Sequence, residues 1–216
     1  MNRRILVTGG AGFIGSHVVE ALLAAGDDVH ALDDLSKGQV TNLPDRVPLH
    51  VLDIAGRSVE RILRETRFDA VVHCAAQTNV MRSIADPDLD RRINIGGLRN
   101  VLDGAVSSGV ARFVFISSGG AVYGETPEPA DETTPPQPDN PYGDDKLKGE
   151  AIVADALIST VALRLSNVYG LRQRSDAEGG VTRTTYSRRA PFDSARRTDS
   201  SHFSPSGART ITRQPI

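Results

Sequence analysis

Nine residues, Thr8-Gly9-Gly10-Ala11-Gly12-Phe13-Ile14-Gly15-Ser16, constrain the fold of this chain more than any others. They lie where one hydrophobic period gives way to another. Arg4-Ile5-Leu6-Val7-Thr8 is a short apolar, β-branched run that stops at glycine, and it reads as a buried strand. From Phe13 onward Ile14, Val18, Leu22 and Ala25 recur at helical spacing, with Gly26 where a C-terminal cap belongs. The glycines at 9, 12 and 15 form a GxxGxxG turn between the two elements. Glycine allows so tight a turn, and without a Cβ its backbone can approach a ligand closely. The free amides of the following helix then face outward, where they suit an anion.

The rest of the chain repeats the alternation. Strands are expected at 28–33, 49–52, 70–74, 112–117 and 161–165, and helices at 57–66, 87–108 and 142–158. Strands alternating with helices predict an α/β fold of the Rossmann type, a doubly wound parallel sheet with helices on both faces. Ligands of such sheets bind beyond the carboxyl ends of the strands. Residues 125–141 hold six prolines and read as a long ordered loop or a lid. From Val181 the character changes. Ser, Thr and Arg supply 19 of the 36 residues 181–216, no period is sustained, and seven arginines against two aspartates leave this segment at +5. The chain therefore divides into a folded unit, 1–180, and a tail, 181–216, of disordered composition.

The residues at the strand ends suggest a ligand. Pyrophosphate fits the amides of Phe13 and Ile14 above Gly9, Gly12 and Gly15. Asp33 ends the second strand 24 residues after Gly9, where an acid accepts hydrogen bonds from an adenine ribose. Asp34 can share that role, and Asp53-Ile54 can reach the adenine edge. A carboxylate there repels a 2′-phosphate, so NAD is favoured over NADP. Tyr142-Gly143-Asp144-Asp145-Lys146 is a YxxxK pair, with both side chains on one helix face. A phenol titrates near ~10, so a base near neutrality needs a shift of about three units, or roughly 4 kcal/mol. A neighbouring ammonium and a positive nicotinamide both act in that direction. On its own YxxxK describes many helix surfaces. Its place after the fifth strand and the glycine turn gives it weight.

Taken together, the motifs resemble the extended short-chain dehydrogenase/reductase superfamily, in particular its NAD-dependent epimerase/dehydratase family. They are TGGAGFIGS at 8–16, LDDLSKG at 32–38, HCAAQ at 73–77, ISSGGAVYG at 116–124, PYGDDK at 141–146 and RLSNVYG at 164–170. The resemblance covers about residues 1–180. It implies a nucleotide-sugar substrate and 4-epimerisation of the UDP-glucose/UDP-galactose type, through transient oxidation at C4. By position it implies that Ala75, Ala76, Gln77 and Ser117 line the cofactor, that Asn94 supports the site, and that Asn167 meets the sugar nucleotide. Tyr142, with Lys146, would be the base.

The chain departs from the pattern in three ways. The hydroxyl that assists the tyrosine in many relatives falls at Gly119, and Ser118 is taken as its substitute. Asp145 stands where relatives commonly have serine, either tying up Lys146 or simply favouring the helix start. The family's C-terminal substrate domain does not follow residue 180, as a shifted reading frame or a truncated gene would produce. Two other functions stay in view. A 4,6-dehydratase needs an acid pair where this chain has Gly120 and Ala121, and a cofactor-binding fragment would bind without turnover.

Composition narrows the partners. The net charge of −2 suggests neither nucleic acid nor an anionic membrane as partner. One cysteine, Cys74, suits a reducing, cytoplasmic setting and reads as inert core. No apolar run approaches the ~20 residues of a membrane span. The five histidines show no metal-ligand spacing, so no metal is expected. A homodimer is the assembly considered.

Overall fold

The computed structural model describes residues 2–174 and the backbone of residues 209–211. The strands are β1 (Arg4–Thr8), β2 (Asp28–Asp33), β3 (Leu49–Val51), β4 (Ala70–His73), β5 (Arg112–Ser118), β6 (Ser159–Leu165) and β7 (Arg209–Ile211). They form one sheet in the order β3-β2-β1-β4-β5-β6-β7. β1 to β6 run parallel, and β7 adds antiparallel to the edge of β6. The expected tail otherwise lies outside the described residues.

Alternation along the central strands builds two cores. Leu6, Leu32, Val71, Phe113 and Phe115 face one side, under α2 (Ser58–Thr66), α5 (Leu98–Ser107) and α7 (Pro141–Ala154). Val7, Val29 and Ala31 face the other, under α1 (Phe13–Ala24) and the Leu43–Val47 loop. Full burial of side chains this size contributes about 1.5–3 kcal/mol each. Because both faces are covered, the central strands read as continuous apolar runs.

The region expected as one helix over 87–108 is finer grained. α4 (Pro87–Arg91) leads into a π-helical turn, Arg92–Gly97, and then α5. Two short helices are additional, α3 (Val80–Ala85) and α6 (Gly119–Tyr123). Among the described residues no helix is long and apolar enough to cross a membrane. The strand order reverses between β1 and β4, so a crevice opens at their carboxyl ends, where such sheets bind ligands.

Candidate active site

A cleft of about 390 Å³ occupies that crevice. Its floor is the glycine turn. Gly9 has φ +65°, and a Cβ on it would stand 2.7 Å from the Ala75 nitrogen. A Cβ on Gly15 would stand 2.0 Å from the Gly9 carbonyl oxygen. The turn therefore closes only with glycine at both positions, and it presents bare backbone to the cleft beside Gly12, Phe13 and Ile14. This cradle fits a pyrophosphate.

Asp33 is buried at the end of β2. Its carboxylate accepts the Ala11 amide at 3.0 Å and the Leu35 amide at 2.9 Å, tying β2 to the turn. Burial pushes its pKa up, and the loop amides pull it back. Asp34 is exposed and accepts from Ser36. Asp53 lines the rim with Arg92 3.5 Å away, and Ile54 packs beneath the π-helical turn at Gly97.

On the other side of the switch, Thr8 Oγ1 lies 2.8 Å from His73 Nδ1 and accepts the Ala75 amide at 3.3 Å. That contact holds Ala75, Ala76 and Gln77 along the wall of the cleft. Asn94 lies behind Gln77 rather than on the cleft border, accepting its amide at 2.8 Å and donating to its carbonyl at 3.0 Å. The Gln77 side chain donates to Asp90 at 2.7 Å. Cys74 packs against the core as expected, but it follows β4 rather than lying in it and also borders the cleft. Its thiol is nevertheless pushed up to about 12 by burial, which leaves it protonated.

The tyrosine–lysine pair closes the site. Asn140 caps α7 by accepting the Gly143 amide at 2.9 Å, and Pro141 occupies the first turn. Tyr142 and Lys146 both line the cleft one turn apart. Lys146 donates to the Ile116 carbonyl at 2.8 Å, and its ammonium lies 4.9 Å from the Phe115 ring centre and 5.8 Å from that of Tyr142. Burial lowers its pKa to about 8, while Cys74, Asp90 and Glu150 act to raise it. Asp145 does not tie up Lys146. It is buried on another face of α7, 3.7 Å from Lys148 and 4.0 Å from Arg91.

Ser118 lines the cleft and caps α6, accepting the Ala121 amide at 3.4 Å. A Cβ on Gly119 would press within 3.2 Å of the Leu165 carbonyl oxygen, so β6 leaves little room there for a longer side chain. Ser117 also borders the cleft, but its hydroxyl turns away and donates to Glu150 at 2.6 Å. Glu150 in turn grips Arg164 in a two-pronged ion pair, 2.6 Å at its shorter arm, with both side chains about a tenth exposed at 10% and 9%. Asn167 borders the cleft from the segment after β6. Sequence reasoning missed Lys37, Asn79, Arg82, Arg172 and Arg174, which also border it. Lys37, Arg172 and Arg174 come from loops, and Asn79 and Arg82 from the cap and body of α3, a helix too short to show a period.

A strand-order reversal opening onto a glycine turn without room for side chains is the geometry of dinucleotide-binding α/β domains. The chain belongs to the NAD dependent epimerase/dehydratase family, whose family model matches residues 5–190. It is 41% identical over 182 residues to a putative UDP-glucose 4-epimerase of Methanocaldococcus jannaschii, covering 82% of this chain and 60% of that protein. The structure of the Thermus thermophilus UDP-glucose 4-epimerase in complex with NAD superposes with a TM-score of 0.81 at 45% identity, over 84% of this chain and 60% of that one. The Thermotoga maritima UDP-glucose 4-epimerase with UDP-glucose gives 0.77 at 40% identity, over 82% and 60%. The chain thus spans about 60% of the length of each of these relatives.

Proposed function

We propose that this chain binds NAD in the cleft and carries the reacting centre of a nucleotide-sugar 4-epimerase of the UDP-glucose/UDP-galactose type. The observation that carries the reading is Tyr142 and Lys146 on one face of α7, lining the same cleft as a glycine cradle that excludes side chains. Gly9, Gly12 and Gly15 admit the pyrophosphate to the amides of Phe13 and Ile14. Asp33, with Asp34 beside it, takes the ribose hydroxyls, and Asp53 and Ile54 border the adenine. Ala75, Ala76, Gln77 and Ser117 wall the nicotinamide half, braced by Asn94. The bound dinucleotide supplies a reversible hydride acceptor for the sugar C4. Tyr142 takes the proton of the 4-hydroxyl on its phenol oxygen and returns it once the sugar has turned over. Lys146 holds positive charge beside that phenol, Ser118 offers an assisting hydroxyl, and Asn167 meets the sugar nucleotide. Gly120 and Ala121 offer no carboxyl to expel water, which favours epimerase over dehydratase. A cytoplasmic setting fits the single cysteine. Pairing of two copies would cover Met81 and Ile84, which α3 leaves 70% and 54% exposed.

The test is interconversion of UDP-glucose and UDP-galactose with added NAD⁺, by residues 1–216 and by Tyr142→Phe. Turnover lost in the phenylalanine variant, with NAD binding kept, supports the reading. Turnover kept in that variant overturns the role of Tyr142. A folded parent that binds NAD and does not turn over has the other role, a dinucleotide-binding module without chemistry of its own.

A further inference from the structure

The segment after β6 does not simply leave the sheet. Residues 166–174 run along the cleft, with Asn167, Val168, Arg172 and Arg174 on its border, and then fasten onto α1. Gly170 lies against the Phe13 ring. The Leu171 carbonyl oxygen is 3.0 Å from His17 Nε2. Arg172 reaches Ser16 Oγ at 3.3 Å with one nitrogen and Glu20 with the other. Ser16 and Glu20 are four residues apart and share one face of α1. Arg172 itself has φ +67°, a left-handed conformation that a residue with a side chain rarely adopts unless its contacts hold it there.

The first turn of α1 adjoins the glycine cradle. The cradle and the fastened segment border the same cleft. We propose that residues 166–174 are a strap across the dinucleotide cleft, and that Arg172 is its positioning residue, latched on Glu20 and Ser16 so that the latch sets how long a bound dinucleotide stays. This rests on the dinucleotide reading of the cleft. The latch, unlike Asn167 at the start of the strap, bears on exit rather than on the chemistry, so Arg172 acts on release. The latch is partly exposed, with 26% of the Arg172 side chain and 42% of that of Glu20 accessible, so its effect is modest and reversible. Both side chains are at the surface, and replacing them spares the core.

The probe is NADH, followed by its fluorescence as excess NAD⁺ displaces it in a stopped-flow instrument. On the scale of a partly exposed ion pair, Glu20→Gln releases NADH about two- to fivefold faster, and Arg172→Ala, which also loses Ser16, about tenfold faster. The exchanged pair Glu20→Arg with Arg172→Glu returns to within about twofold of the parent, a rescue that general damage to the fold would not give. Unchanged release in both single variants, from a parent that binds NADH, overturns the latch alone. Faster release that the exchanged pair does not rescue also overturns it, because the ion pair is then not the cause. A folded parent that binds no NADH overturns the cofactor reading, and the latch with it.

Discussion

Glu150→Gln tests how α7 is held against the ends of β5 and β6 beside the site. Glu150 sits one turn beyond Lys146, accepts from Ser117 at 2.6 Å and pairs with Arg164 through both oxygens. Glutamine keeps the shape but loses the charge and turns an NH₂ towards the guanidinium. Breaking a buried pair from one side costs about 3–5 kcal/mol, because the other charge is left without a partner. The Tyr123 ring, 4.6 Å from the centre of the Arg164 guanidinium, retains part of that stabilisation. The expected loss is therefore about 3 kcal/mol, the lower end of the range. With a urea m-value of about 2 kcal/mol per molar, the midpoint falls by about 1.5 M. Replacing both partners by apolar side chains, Glu150→Leu with Arg164→Met, should recover more than half of the loss. A glutamine variant within about 1 kcal/mol of the parent, or a double variant as unstable as the sum of its single changes, would refute this account of the pair.

Other consequences are open to measurement. Burial pushes the His73 pKa down to about 3, so the folded chain keeps it neutral while the unfolded chain protonates it below about pH 6.5. Stability is then lost as pH falls through that interval, by about 4 kcal/mol for this group, and His73→Gln should flatten the acid limb of urea midpoints taken at several pH values. Lys146, lowered to about 8, gives the same sign at the other end, stability rising with pH above 8 as the folded state sheds a proton that the unfolded state keeps. Lys146→Met should therefore melt higher than the parent at neutral pH, by about 1 kcal/mol, while losing turnover, and a parent whose melting point does not rise between pH 8 and 10 argues against a strained ammonium. Ser118→Ala should lower any epimerase turnover by about one to two powers of ten, and an unchanged rate would remove the hydroxyl from the reaction.

The legible parts of this protein are those in which local pattern and tertiary role coincide. The period change across Thr8–Ser16 announces a βα unit because both elements are set by burial and the turn by the absence of Cβ. Tyr142 and Lys146 are legible because helix spacing alone places them on one face. The π-helical turn at Arg92–Gly97 is not, since its apolar residues keep a helix-like spacing, and the Asn94–Gln77 bonds beside it join residues 17 apart. α6 is equally hidden. Two of its five residues are glycine, and it forms under the Ser118 cap and against α7. The Glu150–Arg164 pair and the Arg172 latch depend on which elements lie side by side, information that no single segment carries. Asp145 shows the converse. The sequence places it next to Lys146, but the helix turns it toward Arg91 and Lys148.

The central claim is that the cleft is built for NAD, with Asp33 at the ribose. Calorimetric titration of residues 1–216 with NAD⁺ and with NADP⁺ tests it most directly. The account predicts one site per chain for NAD⁺ and binding of NADP⁺ at least about tenfold weaker, the difference that about 1.4 kcal/mol of repulsion between a buried carboxylate and a 2′-phosphate produces. NADP⁺ binding as tightly as NAD⁺, or no heat from either with a folded chain, would contradict it.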